Sequence, residues 1–82
     1  MVQAKILLNT IDKVKNFSAK VEKFDFEVDL TSGRYTINAK SIMGIFSLDL
    51  NKEINLTAHL DDKLDIETRE RFMSLLDTYK VE

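Results

Sequence analysis

The stretch that decides the fold spans residues 39–48 and reads AKSIMGIFSL. Ser41 is well suited to cap a helix at this point, because a serine hydroxyl accepts hydrogen bonds from the free amides of the first helical turn. Four bulky apolar residues then occupy barely two turns, namely Ile42, Met43, Ile45 and Phe46. A helix this short cannot bury all of them on one face. We expect Ile45 and Leu48 to be buried and the others to form an exposed surface that contacts a partner.

The composition is typical of a small globular protein. The chain has 82 residues, of which 44% are hydrophobic, and we expect a single domain over residues 1–82 with one modest core. No apolar run approaches the roughly 20 residues that a membrane span needs. The net charge is −2 and the basic residues are scattered, which argues against nucleic-acid binding. The absence of cysteine excludes disulfides and thiolate metal sites and favours a cytoplasmic location, and no cofactor is indicated.

Alternation of apolar and polar residues predicts four strands, each with one apolar face. The strands cover residues 2–8, 25–30, 34–39 and 54–60. Apolar residues at helical spacing predict three helices. The helices cover residues 11–23, residues 41–48 and the segment after Asp65. Asn9 or Thr10 is expected to cap the first helix and Asp65 the last. Gly33 lies between the second and third strands and is free to take a positive φ angle, which favours a hairpin there.

The element order is therefore strand, helix, strand, strand, helix, strand, helix. One-faced strands and helices with matching apolar faces form two layers, so the fold class is α+β. Clean alternation along each strand indicates burial on one side only, which favours an antiparallel sheet. The last helix contributes a buried stripe made of Phe72, Leu75, Leu76 and Tyr79.

The run Lys40-Ser41-Ile42-Met43-Gly44, followed by a bulky apolar pair and Ser47-Leu48, resembles the signature of the HPr family, the histidine-containing phosphocarrier proteins of the bacterial sugar phosphotransferase system. The element order is also that of the HPr fold. The resemblance implies an open-faced sandwich of four antiparallel strands and three helices in the order βαββαβα. It also implies that Ser41 stands at the family's regulatory phosphorylation site, and that the apolar residues after it contact enzymes and regulators.

The active histidine of the HPr family has no counterpart in the matching run. In the family it follows the first strand, within a Gly-Ile-His-Ala-Arg-Pro-like sequence. Counting back from Ser41 without gaps places Thr10 at the histidine, Asp12 at the arginine and Lys13 at the proline. Thr10 has no basic nitrogen, and Asp12 would repel a phosphate. We therefore expect no catalytic residue here and a helix cap at Thr10, with phosphorylation of Thr10 itself as the alternative.

The chain contains a single histidine, His59, on the polar face of the fourth predicted strand. An imidazole without a neighbouring group to orient it is a weak candidate for catalysis. Metal binding would require further ligands, which the sequence does not suggest. We expect His59 to be a solvated strand residue, and its use as a non-standard phosphate acceptor is the alternative in which the protein is a working phosphocarrier.

The sequence thus predicts a regulatory protein-binding domain and not an enzyme or a histidine phosphocarrier. Its partner contacts are expected at Ile42, Met43 and Phe46, since apolar and flexible side chains suit an adaptable docking surface. Phosphorylation of Ser41 would place about two negative charges beside them. The resemblance implies protein partners: phosphotransferase enzymes, a serine kinase or a transcriptional regulator. The other alternative is a purely structural interaction domain in which Ser41 is only a helix cap.

Overall fold

The computed structural model describes residues 1–81, which form four strands and three helices. The strands are β1 (Val2–Ile6), β2 (Val28–Ser32), β3 (Tyr35–Asn38) and β4 (Ile54–Ala58), and the helices are α1 (Ile11–Val21), α2 (Ile42–Phe46) and α3 (Ile66–Tyr79). Each pair of neighbouring strands is antiparallel, and the strand order in the sheet is β1-β4-β2-β3. The predicted α+β class and the order βαββαβα are confirmed. Within the described residues, no helix is long and apolar enough to cross a membrane.

The sheet has one buried face and one open face. In β4, Ile54, Leu56 and Ala58 are buried, whereas Asn55 and Thr57 on the opposite face are exposed or half-buried. Side chains of the three helices meet the buried face in one continuous apolar core, to which Phe17 of α1, Ile45 of α2 and Phe72 of α3 each contribute a fully buried side chain. The result is the open-faced sandwich predicted from the sequence, in which the helices pack on one side and polar strand residues face solvent on the other.

β1 is shorter than the predicted strand over residues 2–8, although Leu8 is buried as its pattern suggested. Residues 79–81 run along the outer edge of β1. The Leu7 N–H donates to the Tyr79 carbonyl at 3.0 Å, and the Val81 N–H donates to the Lys5 carbonyl at 2.8 Å. These hydrogen bonds cover an edge that would otherwise present unpaired backbone groups to other chains.

The predicted boundary between the first helix and the second strand was wrong. The helix ends at Val21 and β2 begins only at Val28. Between them, Phe24 and Phe26 pack against Phe72 of α3. The ring centroid of Phe72 lies 5.3 Å from that of Phe24 and 4.9 Å from that of Phe26, and in both pairs the rings are nearly perpendicular. Edge-to-face pairs contribute about 0.5–1.5 kcal/mol beyond the area they bury. These contacts hold residues 22–27 in an irregular loop over the end of the core.

Two local predictions are confirmed by the backbone. Gly33 has φ +60° in the turn of the β2–β3 hairpin, a conformation that L side chains rarely adopt. Asp65 caps α3, because its carboxylate accepts a hydrogen bond from the Thr68 N–H at 3.1 Å. Hydrogen bonds from Thr68 lower the pKa of Asp65 below its ordinary value of 3.8.

We expect this cap to make part of the folding stability depend on pH. Since the pKa is lowered in the folded state, the cap's contribution is fully present above the ordinary pKa of 3.8 and is lost as pH falls through the lower, folded value. Asp65→Asn keeps an oxygen acceptor that does not titrate, so its free energy of unfolding should decline less steeply than that of the wild type below about pH 4. Urea titrations at several pH values measure the difference.

Asp62→Asn is the matched control, because it removes an exposed carboxylate from the preceding turn without touching the cap. Its pH profile should follow that of the wild type. Equal acid slopes for Asp65→Asn and the wild type would contradict the assignment of this stability to the ionised cap.

Candidate partner-binding surface around α2

Ser41 caps α2, as the sequence predicted. Its Oγ accepts a hydrogen bond from the Gly44 N–H at 3.2 Å, and its carbonyl accepts one from the Ile45 N–H at 3.0 Å. The Ser41 N–H donates to the Asn38 carbonyl at 2.9 Å, which ties the start of α2 to the end of β3. The residue is exposed, so another protein can reach its hydroxyl.

Gly44 allows α2 to lie close to its neighbours. A Cβ atom at this position would be 3.2 Å from Ser41 Oγ and 3.3 Å from Ile37 Cβ, closer than most real contacts of this kind. At the other end of the helix, Ser47 Oγ donates to the Gly44 carbonyl at 2.6 Å. A helix of five residues is therefore held by a serine hydroxyl at each end.

We refer to Ile42, Met43 and Phe46 as the α2 surface. Their exposed fractions are 37%, 79% and 41%, whereas Ile45 on the same helix is fully buried. Leu48, just after the helix, is 7% exposed and belongs to the core. The inward and outward directions are those expected from the sequence, and the use of the outward residues for partner binding stays a prediction.

Lys40 links the start of α2 to the loop formed by residues 22–27. Its ammonium donates a partly buried hydrogen bond to the Phe24 carbonyl at 2.6 Å, and its N–H donates to Asn38 Oδ1 at 2.8 Å. Sequence reasoning missed the first contact, because nothing local to Lys40 indicates that Phe24 lies beside it.

Thr10 stands at the start of α1 and caps that helix. Its Oγ1 accepts a hydrogen bond from the Lys13 N–H at 3.1 Å, and the Lys13 ammonium donates to Asn9 Oδ1 at 3.0 Å. Asp12 is exposed in the first turn, where the helix dipole favours a negative charge. The local hydrogen bonds of these residues are those of an ordinary helix start.

His59 has an orienting neighbour, so the expectation of an isolated imidazole was wrong. Its Nε2 lies 2.9 Å from Asp29 Oδ2, and the two side chains are 42% and 35% exposed. Asp29 in β2 is directly opposite Thr57 in β4, which makes Asp29 and His59 diagonal neighbours on the open face of the sheet. Within residues 1–81, no group of three or more side chains could hold a metal ion.

A family model described as the PTS HPr component phosphorylation site matches residues 13–77. The chain therefore belongs to the HPr family of the phosphotransferase system. The matched span begins after Thr10 and includes Ser41 and the α2 surface. Family membership connects the protein with the phosphotransferase system, in which the members of this family are phosphocarrier proteins and not enzymes.

Solved structures of this family share the fold. HPr-C-His from Thermoanaerobacter tengcongensis is 26% identical, with 96% of this chain and 91% of that chain covered and a TM-score of 0.74. HPr from Bacillus anthracis is 23% identical, with 96% of each chain covered and a TM-score of 0.73. Crh, the Bacillus subtilis catabolite repression protein that crystallised as a domain-swapped dimer, is 26% identical over 100% of this chain and 93% of its own, with a TM-score of 0.60. No curated protein sequence matches the chain significantly.

Replacing Lys40 by methionine removes the ammonium and keeps an apolar side chain of similar reach. We expect Lys40→Met to lower the free energy of unfolding by about 1–3 kcal/mol, because the Phe24 carbonyl loses a charge-assisted hydrogen bond in a partly buried place. Urea denaturation measures the loss. Lys52→Met is the control, since Lys52 is exposed, its ion pair with Asp49 is 3.8 Å long, and such a pair contributes about 0–1 kcal/mol. Equal, small losses in both variants would contradict a structural role for Lys40.

Proposed function

We propose that the protein is a regulatory protein-binding domain of the phosphotransferase system, located in the cytoplasm, and that it is not a histidine phosphocarrier. It acts through the α2 surface and is switched by phosphorylation of Ser41. The observation that carries the proposal is the position of an exposed serine hydroxyl next to exposed Ile42, Met43 and Phe46 in a chain of the HPr family. Its partners are phosphotransferase enzymes, a serine kinase or a transcriptional regulator.

The switch would act through charge. A phosphate on Ser41 adds about two negative charges at neutral pH. α2 (Ile42–Phe46) contains no charged side chain that could neutralise the phosphate, and the ammonium of Lys40 is already bound to the Phe24 carbonyl. The new charge would therefore stand largely uncompensated at the edge of an apolar surface. A partner that buries the unmodified α2 surface would have to desolvate that charge, whereas a partner with a basic residue facing Ser41 would gain from it.

The start of α1 supports the loss of phosphoryl relay. Thr10 occupies the position that the resemblance assigns to the active histidine, and its hydroxyl oxygen accepts the capping hydrogen bond of the helix. A threonine hydroxyl is not basic at neutral pH, and without a neighbouring base it is a poor acceptor of a phosphoryl group. Asp12 in the same turn brings a negative charge that opposes an incoming phosphoryl group.

The Asp29–His59 pair favours a second candidate function, a phosphocarrier that uses His59. A carboxylate 2.9 Å from Nε2 fixes the orientation of the imidazole, as it does for many catalytic histidines. The same carboxylate places a negative charge beside any phosphate on the ring. We therefore rank this function second. The third candidate, an interaction domain without phosphorylation, would be favoured if no kinase modified Ser41.

Incubation with ATP and an HPr serine kinase should add one phosphate to the wild-type protein. Intact mass spectrometry measures the gain. Ser41→Ala should gain none, because it lacks the accepting hydroxyl. Ser47→Ala is the matched control, since it removes the other serine that closes α2, and it should be phosphorylated like the wild type. No added mass on the wild type, or an unchanged gain on Ser41→Ala, would contradict the switch.

The α2 surface should contact the kinase that modifies Ser41. We expect Met43→Asp to raise the KM of this reaction by about tenfold with a small change in kcat, since a charge replaces a side chain that is 79% exposed on the docking surface. Ile66→Asp is the control, because Ile66 is 72% exposed at the start of α3. A similar KM for both variants would show that the kinase does not bind the α2 surface.

A further inference from the structure

A groove lies away from the α2 surface, between the end of α1, the loop over residues 22–27 and the outer side of α3. Its volume is about 540 Å³, within the range of about 300–1,000 Å³ that is usual for small-molecule sites. None of the three residues of the α2 surface lines it. The groove is therefore a candidate site that is separate from the proposed docking function.

One wall of the groove is aromatic and held in place before any ligand binds. Phe24 and Phe26 are partly exposed, and their ring centroids lie 5.4 Å apart. Both rings pack edge-on against Phe72, which is fully buried. The Lys40 ammonium also donates a hydrogen bond to the Phe24 carbonyl, which holds the backbone of this loop in place. A wall that is already ordered costs little conformational entropy when a flat ligand packs on it.

The rim of the groove is positively charged, in a chain whose net charge is −2. Lys20, Lys23 and Arg71 line it, together with the carboxylates of Asp25 and Asp65. In the described part of the chain, none of these three cations forms an ion pair with either carboxylate. The Asp65 carboxylate is engaged in the cap of α3. The three cations outnumber the two carboxylates, so the lining has a net charge of +1, although Arg71 is close enough to Asp65 to help lower the pKa of its carboxyl. A positive excess on low-dielectric walls raises the local concentration of anionic ligands.

Arg71 supplies the hydrogen-bonding geometry for an oxyanion. Its Nη2 donates to Thr68 Oγ1 at 3.3 Å, a contact between two residues of α3 that both line the groove, and this contact uses one of the five donors of the guanidinium group. The remaining donors form a planar fork that matches two oxygens of a phosphate. The two lysines add point charges without demanding a fixed geometry.

We propose that the groove binds a small phosphate monoester that carries a flat apolar ring. The ring packs against Phe24 and Phe26. The phosphate is bound by the guanidinium of Arg71, and the ammonium groups of Lys20 and Lys23 balance its charge. This binding is independent of the state of Ser41.

The test is a ¹H–¹⁵N NMR titration of the full chain with phenyl phosphate. We expect saturable shifts at the amides of residues 24–26 and of Arg71, with a Kd of about 1 mM or lower. Arg71→Gln should weaken binding by about tenfold, because a charge-assisted, bidentate contact is lost. Added salt should weaken it as well. Lys52→Gln, which removes an exposed lysine elsewhere, should bind as the wild type does.

Phenol and inorganic phosphate complete the test, because each supplies only one half of the ligand. Both should bind more weakly than phenyl phosphate. The proposal is overturned if phenyl phosphate gives no saturable shift, if the shifts fall on the α2 surface, if Arg71→Gln binds equally well, or if either half ligand binds as tightly as the whole. Arg71 is exposed, so the variant should keep the dispersed spectrum of a folded protein, which the same spectra show directly.

Discussion

The arrangement around α2 depends on the burial of one side chain, Ile45. A helix of five residues has room for one large apolar group against the core, and Ile45 occupies that position with no exposed surface. Burying such a side chain contributes about 1.5–3 kcal/mol, enough to fix a short helix whose ends are also closed by Ser41 and Ser47. Because the inner position is filled, Ile42, Met43 and Phe46 stay outside. The exposed apolar surface is thus a consequence of helix length.

Local signals in the sequence were sufficient for the order of the elements and for the starts of the helices. Ser41 and Asp65 were expected to cap helices and do so, and Thr10 was one of two candidates for the first cap. Capping depends on residues three positions apart, so it can be predicted from a short window. The end of α1 could not be predicted in this way, since it is decided by the packing of Phe24 and Phe26 on Phe72, a residue of the last helix.

In the candidate site too, features decided by neighbouring residues could be predicted, and contacts between distant residues could not. The outward direction of the α2 surface follows from helical geometry and was predictable. The contact between Lys40 and Phe24 and the pair formed by Asp29 and His59 were not, because each joins residues from distant parts of the chain. The Asp29–His59 pair would have been predictable if the pairing of β2 with β4 had been known, since Asp29 is directly opposite Thr57.

Three surfaces of the molecule are therefore chemically distinct. The α2 surface is apolar with a serine at its edge, the open face of the sheet carries the Asp29–His59 pair, and the groove beside α3 is aromatic with a basic rim. The start of α1, where the family resemblance places phosphoryl transfer, is an ordinary capped helix end at Thr10. In the proposed function, docking and serine modification persist in a chain that has lost the relay step.

The most direct measurement is phosphoryl transfer from phosphoenolpyruvate through the first enzyme of the phosphotransferase system, followed by intact mass spectrometry, with an ordinary histidine-containing HPr as the positive control. We expect the control to gain one phosphate and this protein to gain none. One phosphate on this protein, abolished by His59→Ala or by Thr10→Ala, would contradict the loss of phosphoryl relay and would identify the residue that accepts it.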